Sequence, residues 1–330
     1  MKKTNMKLIF TPIRSFMLSL ILIYAGPVVA QDYPNRPIRL IIPWPTGGGV
    51  DVVFRLWSQS LADNLRQPIV VDNRPGAGST IGIEMVARAK QDGYTLGGVN
   101  ISFGVNPYLL KKMPYDTDKD LVPVSLTALV PLVLSVNPSM PVRSVKELIA
   151  LAKAKPGSLN SGSGGNASAT HMVTELFSYV SDAKLVHIPY KGGGPQVLAG
   201  VSGETPVLFL NIAAGLQYIR SGRLIALGIT TLNRHPILPD VPTIAEAIGM
   251  PEFEVSEWTG VVVPVGTPQL VINRLHEEIV KTLAQPEVKE RIHGAGAQVV
   301  GSTPAEMAAF LKKEAKRWPP VIKAAGIRFD

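Results

Sequence analysis

Five histidines, His171, His187, His235, His276 and His293, are the obvious candidates for metal binding or proton transfer. No two stand at a metal-ligand spacing and no HExxH run occurs, so zinc chemistry has no support in the sequence. Cysteine is absent, which removes thiol nucleophiles, thiolate metal sites and disulfides. Ser161, Ser163 and Ser168 lie in a glycine-rich stretch, but no serine has glycine at both −2 and +2, so a nucleophile elbow is missing. His171 falls in a helical pattern and reads as a packed core histidine. A Ser–His pair outside any known motif is the one remaining route to nucleophilic catalysis.

Glycine clusters raise the question of a nucleotide. Gly47-Gly48-Gly49 follows a strand-like run and opens a helical one, as a phosphate loop does. No G-K-[ST] follows, however, and the frames that start at Gly47, Gly76 and Gly162 reach Val52, Ile81 and Ala167 where G-x-G-x-x-G requires glycine. No cofactor is therefore expected. What these loops do offer is main-chain N–H. Pro45–Asp51, Gly162–Ser168 and Lys191–Gly194 each sit between a strand and a helix, where first-turn amides are free to attract an anion and glycine lets the backbone approach a ligand. Any one of them could be a plain tight turn; three at equivalent junctions suggest a binding wall.

The elements that carry these loops alternate between strand and helix, which argues for α/β units with mostly parallel sheets. Ile38–Ile42 reads as a strand. Val52, Val53, Leu56, Trp57, Leu61 and Leu65 recur near helical spacing. Ile69–Val71 and Thr95–Val99 are further strands, with a helix through Met85 and Val86 between them. Residues 106–123, rich in proline and charge, read as an irregular excursion before a strand over Leu129–Val136. A second unit follows: helix 170–180, strand 184–188, helix 196–201, strand 207–210, helix 215–220 and strand 224–230. Ser144/Glu147, Thr243/Glu246 and Thr303/Glu306 are capping boxes. Thr267-Pro268 reads as an N-cap with proline at N1, and Pro319-Pro320 as a kink in the last helix. One unit inserted into the other requires two crossovers, near 124–131 and 255–262, which together would form a hinge beside an interdomain cleft.

Lys2, Lys3, Lys7 and Arg14 precede an apolar run from Phe16 to Tyr24, and Val28-Val29-Ala30 offers small residues for cleavage. Residues 1–30 therefore read as a signal peptide. The run is too short to span a bilayer, and no later stretch reaches that length. Of the 33 basic residues the leader holds four, which leaves 29 against 25 acidic ones, a net of +4. No segment concentrates Lys and Arg with aromatics, so nucleic acid is not expected as a partner. About 300 residues exceed what one core usually supports, and two domains are expected.

Several runs resemble one family. Arg36-Pro37-Ile38-Arg39-Leu40-Ile41-Ile42-Pro43-Trp44-Pro45-Thr46-Gly47-Gly48-Gly49-Val50-Asp51 is similar to the opening motif of the Bug-type receptors of tripartite tricarboxylate transporters. Asp72-Asn73-Arg74-Pro75-Gly76-Ala77-Gly78, Asp92-Gly93-Tyr94-Thr95-Leu96, Pro189–Pro195, Leu238–Thr243 and Pro264–Pro268 are similar to later motifs, in the right order. The resemblance implies an α/β, type II-like periplasmic binding protein of the Venus flytrap kind. Each lobe would be a mostly parallel sheet flanked by helices, with two hinge crossovers. Lobe 1 would be 31–125 with 258–330, and lobe 2 would be 126–257.

It further implies a soluble, monomeric receptor in the periplasm, not an enzyme. Such a receptor would hold a small carboxylated solute (an organic, aromatic or dicarboxylic acid, or an acidic amino acid) and deliver it to an inner-membrane permease. By position, the first lobe would contribute Trp44, Thr46, Gly47, Gly48, Asp51, Asn100 and Ser102, with Asp51 shaping the loop. The second would contribute Ser163, Asn166, Ser168, Thr170, Lys191, Gly192 and Asn211. Trp44 stands where phenylalanine is common and Asn211 where aspartate is frequent, so the choice of acid stays open. A Trp44 facing the cleft could stack on an aromatic ring. Two rival readings share the same cleft: a sensing module for a membrane signalling partner, and a hydrolase or lyase acting on a carboxylate.

Overall fold

The computed structural model describes residues 33–251 and 253–328; the expected signal peptide lies outside them. Ile38–Ile42 forms β1, whose apolar residues are almost all buried, as befits a strand inside a parallel sheet. Helix α1 (Gly49–Leu65) buries Val53, Phe54, Trp57 and Leu61 on one stripe. It leads to β2 (Ile69–Asn73); then α2 (Thr80–Ala87) leads to β3 (Thr95–Val99). Both β2 and β3 run parallel to β1 and flank it.

Helix α3 (Ile101–Leu109) follows, and then β4 (Leu121–Val136), which is 16 residues long. The region read as irregular thus holds a helix and the start of a strand. Asn100 caps α3 by accepting the Ser102 N–H, and Pro107 fits late in the helix. Pro123 is accommodated where the pairing register of β4 shifts, between Pro123 and Ser125, because a bulge tolerates the missing donor.

The second unit starts with α4 (Val145–Ala154). A parallel set of β5 (Leu159–Ser163), β6 (Leu185–Pro189) and β7 (Val207–Asn211) follows. Its connections are α5 (Ala169–Ser181) and α6 (Gly193–Ser202). Then come α7 (Ile212–Arg220), β8 (Ile225–Ile229) and α8 (Ile244–Ile248). The return strand β9 (Ser256–Pro264) pairs antiparallel with β4, from Leu121 opposite Pro264 to Pro131 opposite Ser256. The chain closes with α9 (Gln269–Ala284), α10 (Pro286–Gly294), β10 (Gln298–Val299) and α11 (Pro304–Ala325).

All ten strands join in one sheet, ordered β2-β1-β3-β9-β4-β7-β5-β6, with β8 and β10 also paired to β4. The two crossovers expected near 124–131 and 255–262 are β4 and β9. They are paired to each other and shared by the two halves of this two-lobed α/β fold. From Arg36 onward the chain is one compact unit, so the lobes are packed together.

Three local expectations need correction. Thr267 does not cap α9: its hydroxyl turns back to the Pro264 carbonyl at 2.7 Å, and Pro268, with extended backbone, takes the cap position. The Ser144 box is only half formed, because Glu147 accepts the Arg143 N–H and not that of Ser144. The last helix is unbroken through Pro319 and Pro320. The boxes at Thr243 and Thr303 have both of their hydrogen bonds.

Candidate ligand-binding site

Strand-to-helix junctions from both halves meet at one cleft. Its wall is made by Trp44, Pro45, Gly48, Gly49, Val50 and Asn100 on one side. The other side comprises Gly164, Ser168, Ala169, Thr170, Gly192, Gly193, Gln196, Val197, Leu210, Asn211 and Ala214, and Glu257 of β9 joins the two. The first residues of α1, α5, α6 and α7, and the cap residue of α3, all stand here. A helix start leaves its first amides without intrahelical partners and carries roughly half a positive charge. At α1 the Val52 N–H donates to the Gly48 carbonyl at 3.0 Å, and the cap, a glycine, offers no side chain to the amides before Val52. The wall contains no lysine, arginine or histidine. Whatever attraction it offers an anion must therefore come from main-chain N–H groups and neutral side-chain donors.

The cavity, open on one side, measures about 70 Å³, room for roughly five to seven waters at ~10–15 Å³ each. Direct contacts join the two halves at and behind the wall. The Ser102 hydroxyl donates to the Ala167 carbonyl at 2.6 Å. Asn100 Nδ2 donates to Glu257 Oε1 at 3.1 Å and Asn211 Nδ2 to Glu257 Oε2 at 2.9 Å. Glu257 is thereby tied to both halves. Burial pushes its carboxyl above the ordinary range, against the opposing pull of the Asn211 and Asn100 amides. Two buried polar atoms in this region lack a protein partner, Trp44 Nε1 and Asn211 Oδ1, and no cation offsets the burial of Glu257. The close approach of Asn211 also explains one glycine, since a Cβ on Gly49 would lie 2.0 Å from Asn211 Nδ2.

Of the residues expected at the site, Trp44, Gly48, Asn100, Ser168, Thr170, Gly192 and Asn211 are on the wall. Thr46, Gly47, Asn166 and Lys191 are not; they sit on the outer turns of their loops and are exposed. Asp51, Ser102 and Ser163 are buried behind the wall. Asp51 accepts hydrogen bonds from the Gly47 N–H, Arg55 and Asn73, and so fixes the first loop. Burial opposes its charge, but these donors outweigh it and hold the carboxyl below its ordinary range. A depressed folded value means that Asp51 stabilises the fold above the unfolded-state pKa of about 3.9 and loses that contribution as pH falls through the folded value. Asp51→Asn is accordingly expected to melt below the parent at neutral pH, with the gap closing below about pH 4. Melting curves of both proteins across pH check this.

Ser163 holds the Ser–His pair left open by the sequence. Its Oγ lies 2.5 Å from His187 Nε2 and also accepts the Gly165 N–H. The His187 ring stacks on His171 at 3.7 Å between centroids. Burial, then the neighbouring His171, lowers the His187 pKa to about 3, so the imidazole is neutral and acts as a fixed partner for the loop. Neither Ser163 nor His187 lines the cleft. Among the described residues no cluster of three or more metal-ligating side chains occurs, and no helix is long and apolar enough to cross a membrane.

The most informative wall residue, Glu257, was not expected. Within its strand it is the one charged residue, and its partners Asn100 and Asn211 are 157 and 46 positions away. Gln196 was also missed. Its amide spans β5 and β7 by donating to the Gly162 and Phe209 carbonyls.

A two-lobed α/β fold with a cleft at the carboxyl ends of its strands defines the periplasmic binding protein class, and solved structures agree. An R. palustris protein solved with adipate superimposes with a TM-score of 0.84 at 33% identity, over 90% of this chain and 99% of that one. MatC from Rhodopseudomonas palustris, with bound malate, gives 0.81 at 31% identity over 88% and 100%. Protein BugT of Bordetella pertussis is 40% identical over 306 residues, 92% of this chain and 94% of the relative. Residues 53–327 match the model of the tripartite tricarboxylate transporter family receptor. The chain belongs to that family, as a Bug-type receptor.

Proposed function

We propose that the chain is an exported periplasmic receptor that captures a small carboxylate in this cleft and presents it to the inner-membrane permease of a tripartite transporter. It acts as a monomer and without catalysis. Lobe 1 is 31–125 with 258–330, and lobe 2 is 126–257. The observation that carries the reading is the convergence of helix starts on a wall without cationic side chains. Adipate and malate in the two similar structures support a carboxylate as the ligand class. The cavity, worth about 150–210 Å³ of liquid water at ~30 Å³ per molecule, suits an acid of a few carbons.

Affinity must come from several weak contacts. A micromolar complex needs about 8 kcal/mol, whereas one helix start contributes up to ~2 kcal/mol when partly buried. A thermal-shift panel of mono-, di- and tricarboxylates on ligand-free protein tests the reading. At about 100 times Kd a true ligand stabilises by roughly 2.7 kcal/mol, which moves Tm by about 5 °C or more. A panel that leaves Tm unmoved throughout, or an acid that is chemically altered on incubation, would sink it.

A further inference from the structure

Glu257 poses a problem for any receptor of anions. It is a buried carboxyl on the cleft wall, and an ionised form would repel the ligand at short range with little screening. The surrounding elements bring no counter-charge. β3, β4 and α6 carry no titratable side chain, and those of α7, Tyr218 and Arg220, are in its last turn. α1 brings Asp51 and Arg55, which are paired with each other. α5 brings His171, stacked on His187 and 3.5 Å from Glu175, and Tyr179 towards its far end. A buried charge without a partner is more costly than its neutral form, so the group is expected to hold a proton.

The neutral form also resolves the unpartnered Asn211 Oδ1. The two ends of an amide occupy the same space, and which is oxygen follows from the hydrogen bonds available. With the Asn211 amide turned over, a Glu257 O–H donates to Oδ1, and Nδ2 faces the cleft as a donor. With Glu257 ionised, Nδ2 is held by the carboxylate and the acceptor Oδ1 faces the ligand instead.

We propose that Glu257 is a specificity-determining residue that works as a neutral acid: by donating its proton to Asn211, it turns the Asn211 N–H towards the ligand carboxylate, so that anion binding is linked to proton uptake. This rests on the carboxylate-receptor reading. No bond other than those to the proton changes; solvent supplies it to Glu257, and it returns to solvent on ligand release.

Calorimetric titration with the tightest acid of the panel, in buffers of different ionisation heat from about pH 6 to about pH 9, tests the linkage. Uptake approaching one proton per ligand is expected above the pH at which the empty site ionises. Affinity there should fall by up to about tenfold per pH unit. Glu257→Gln, which mimics the neutral acid, and Glu257→Ala should both remove the uptake and the slope. Difference infrared spectra of the complex should show a protonated carboxyl band that both variants lack. Proton release on binding, as an ammonium-bearing ligand seeking Glu257 as counter-charge would cause, overturns the inference. So does a complex in which Glu257 is ionised. In either case binding of the acid leaves the receptor reading standing, whereas failure of every acid in the panel removes both.

Discussion

Gly49→Ala is expected to weaken ligand binding by roughly 10- to 100-fold and to lower the melting temperature by a few degrees. The new Cβ would meet Asn211 Nδ2 at 2.0 Å and Asn211 Cγ at 3.2 Å. The asparagine amide is the freer of the two partners, so it swings aside and gives up its hydrogen bond to Glu257. A buried polar group left unsatisfied costs about 1–3 kcal/mol, and about 1.4 kcal/mol is a tenfold change in Kd. The substitution has no helical penalty, since alanine is the better helix former. Calorimetry with a panel acid measures the loss, and parent-like affinity would show that Asn211 does not need its place beside Gly49.

Trp258→Ala should have the largest effect on the fold. Trp258 is 1% exposed on β9, opposite Leu129 of β4, with its ring edge-to-face against Phe310 at 5.4 Å. Truncating a buried tryptophan costs about 3–5 kcal/mol, which at this chain length lowers Tm by roughly 10 °C. Because Trp258 adjoins Glu257, the cavity it leaves also loosens the strand that carries the carboxyl. A melting temperature within about 2 °C of the parent would contradict this account of the shared strands.

The sequence revealed those parts of the fold whose signals are local. Periodicity located β1, α1, β2, β3, β6 and β7, because each strand is a short apolar run bounded by turn residues; it missed β5, whose Leu159-Asn160-Ser161-Gly162-Ser163 sequence is polar and overlaps the glycine-rich loop. Capping chemistry placed the starts of α8 and α11 to the residue. Proline misled the reading at three points. Pro107 hid α3, Pro123 hid the first half of β4, and Pro319-Pro320 suggested a distortion in a helix that continues through them. At Pro123 a register shift absorbs the missing N–H.

The site was half legible for a related reason. Gly48, Ser168 and Gly192 stand at strand-to-helix junctions, which sequence can locate. Thr46, Asn166 and Lys191 stand at the same junctions but on their outer turns, and spacing alone does not tell which side of a loop faces inward. Glu257 and Gln196 become wall residues only when strands distant in sequence are brought side by side.

The wall's reliance on peptide groups bears on how such receptors diversify. A side-chain cation is lost with one codon, whereas an N–H survives every exchange except that to proline. Mutation can therefore reshape Trp44, Leu210 or Val197, and so alter which molecule fits, while the grip on its acidic end is inherited unchanged. A lineage built this way can explore new nutrients without passing through an intermediate that binds nothing.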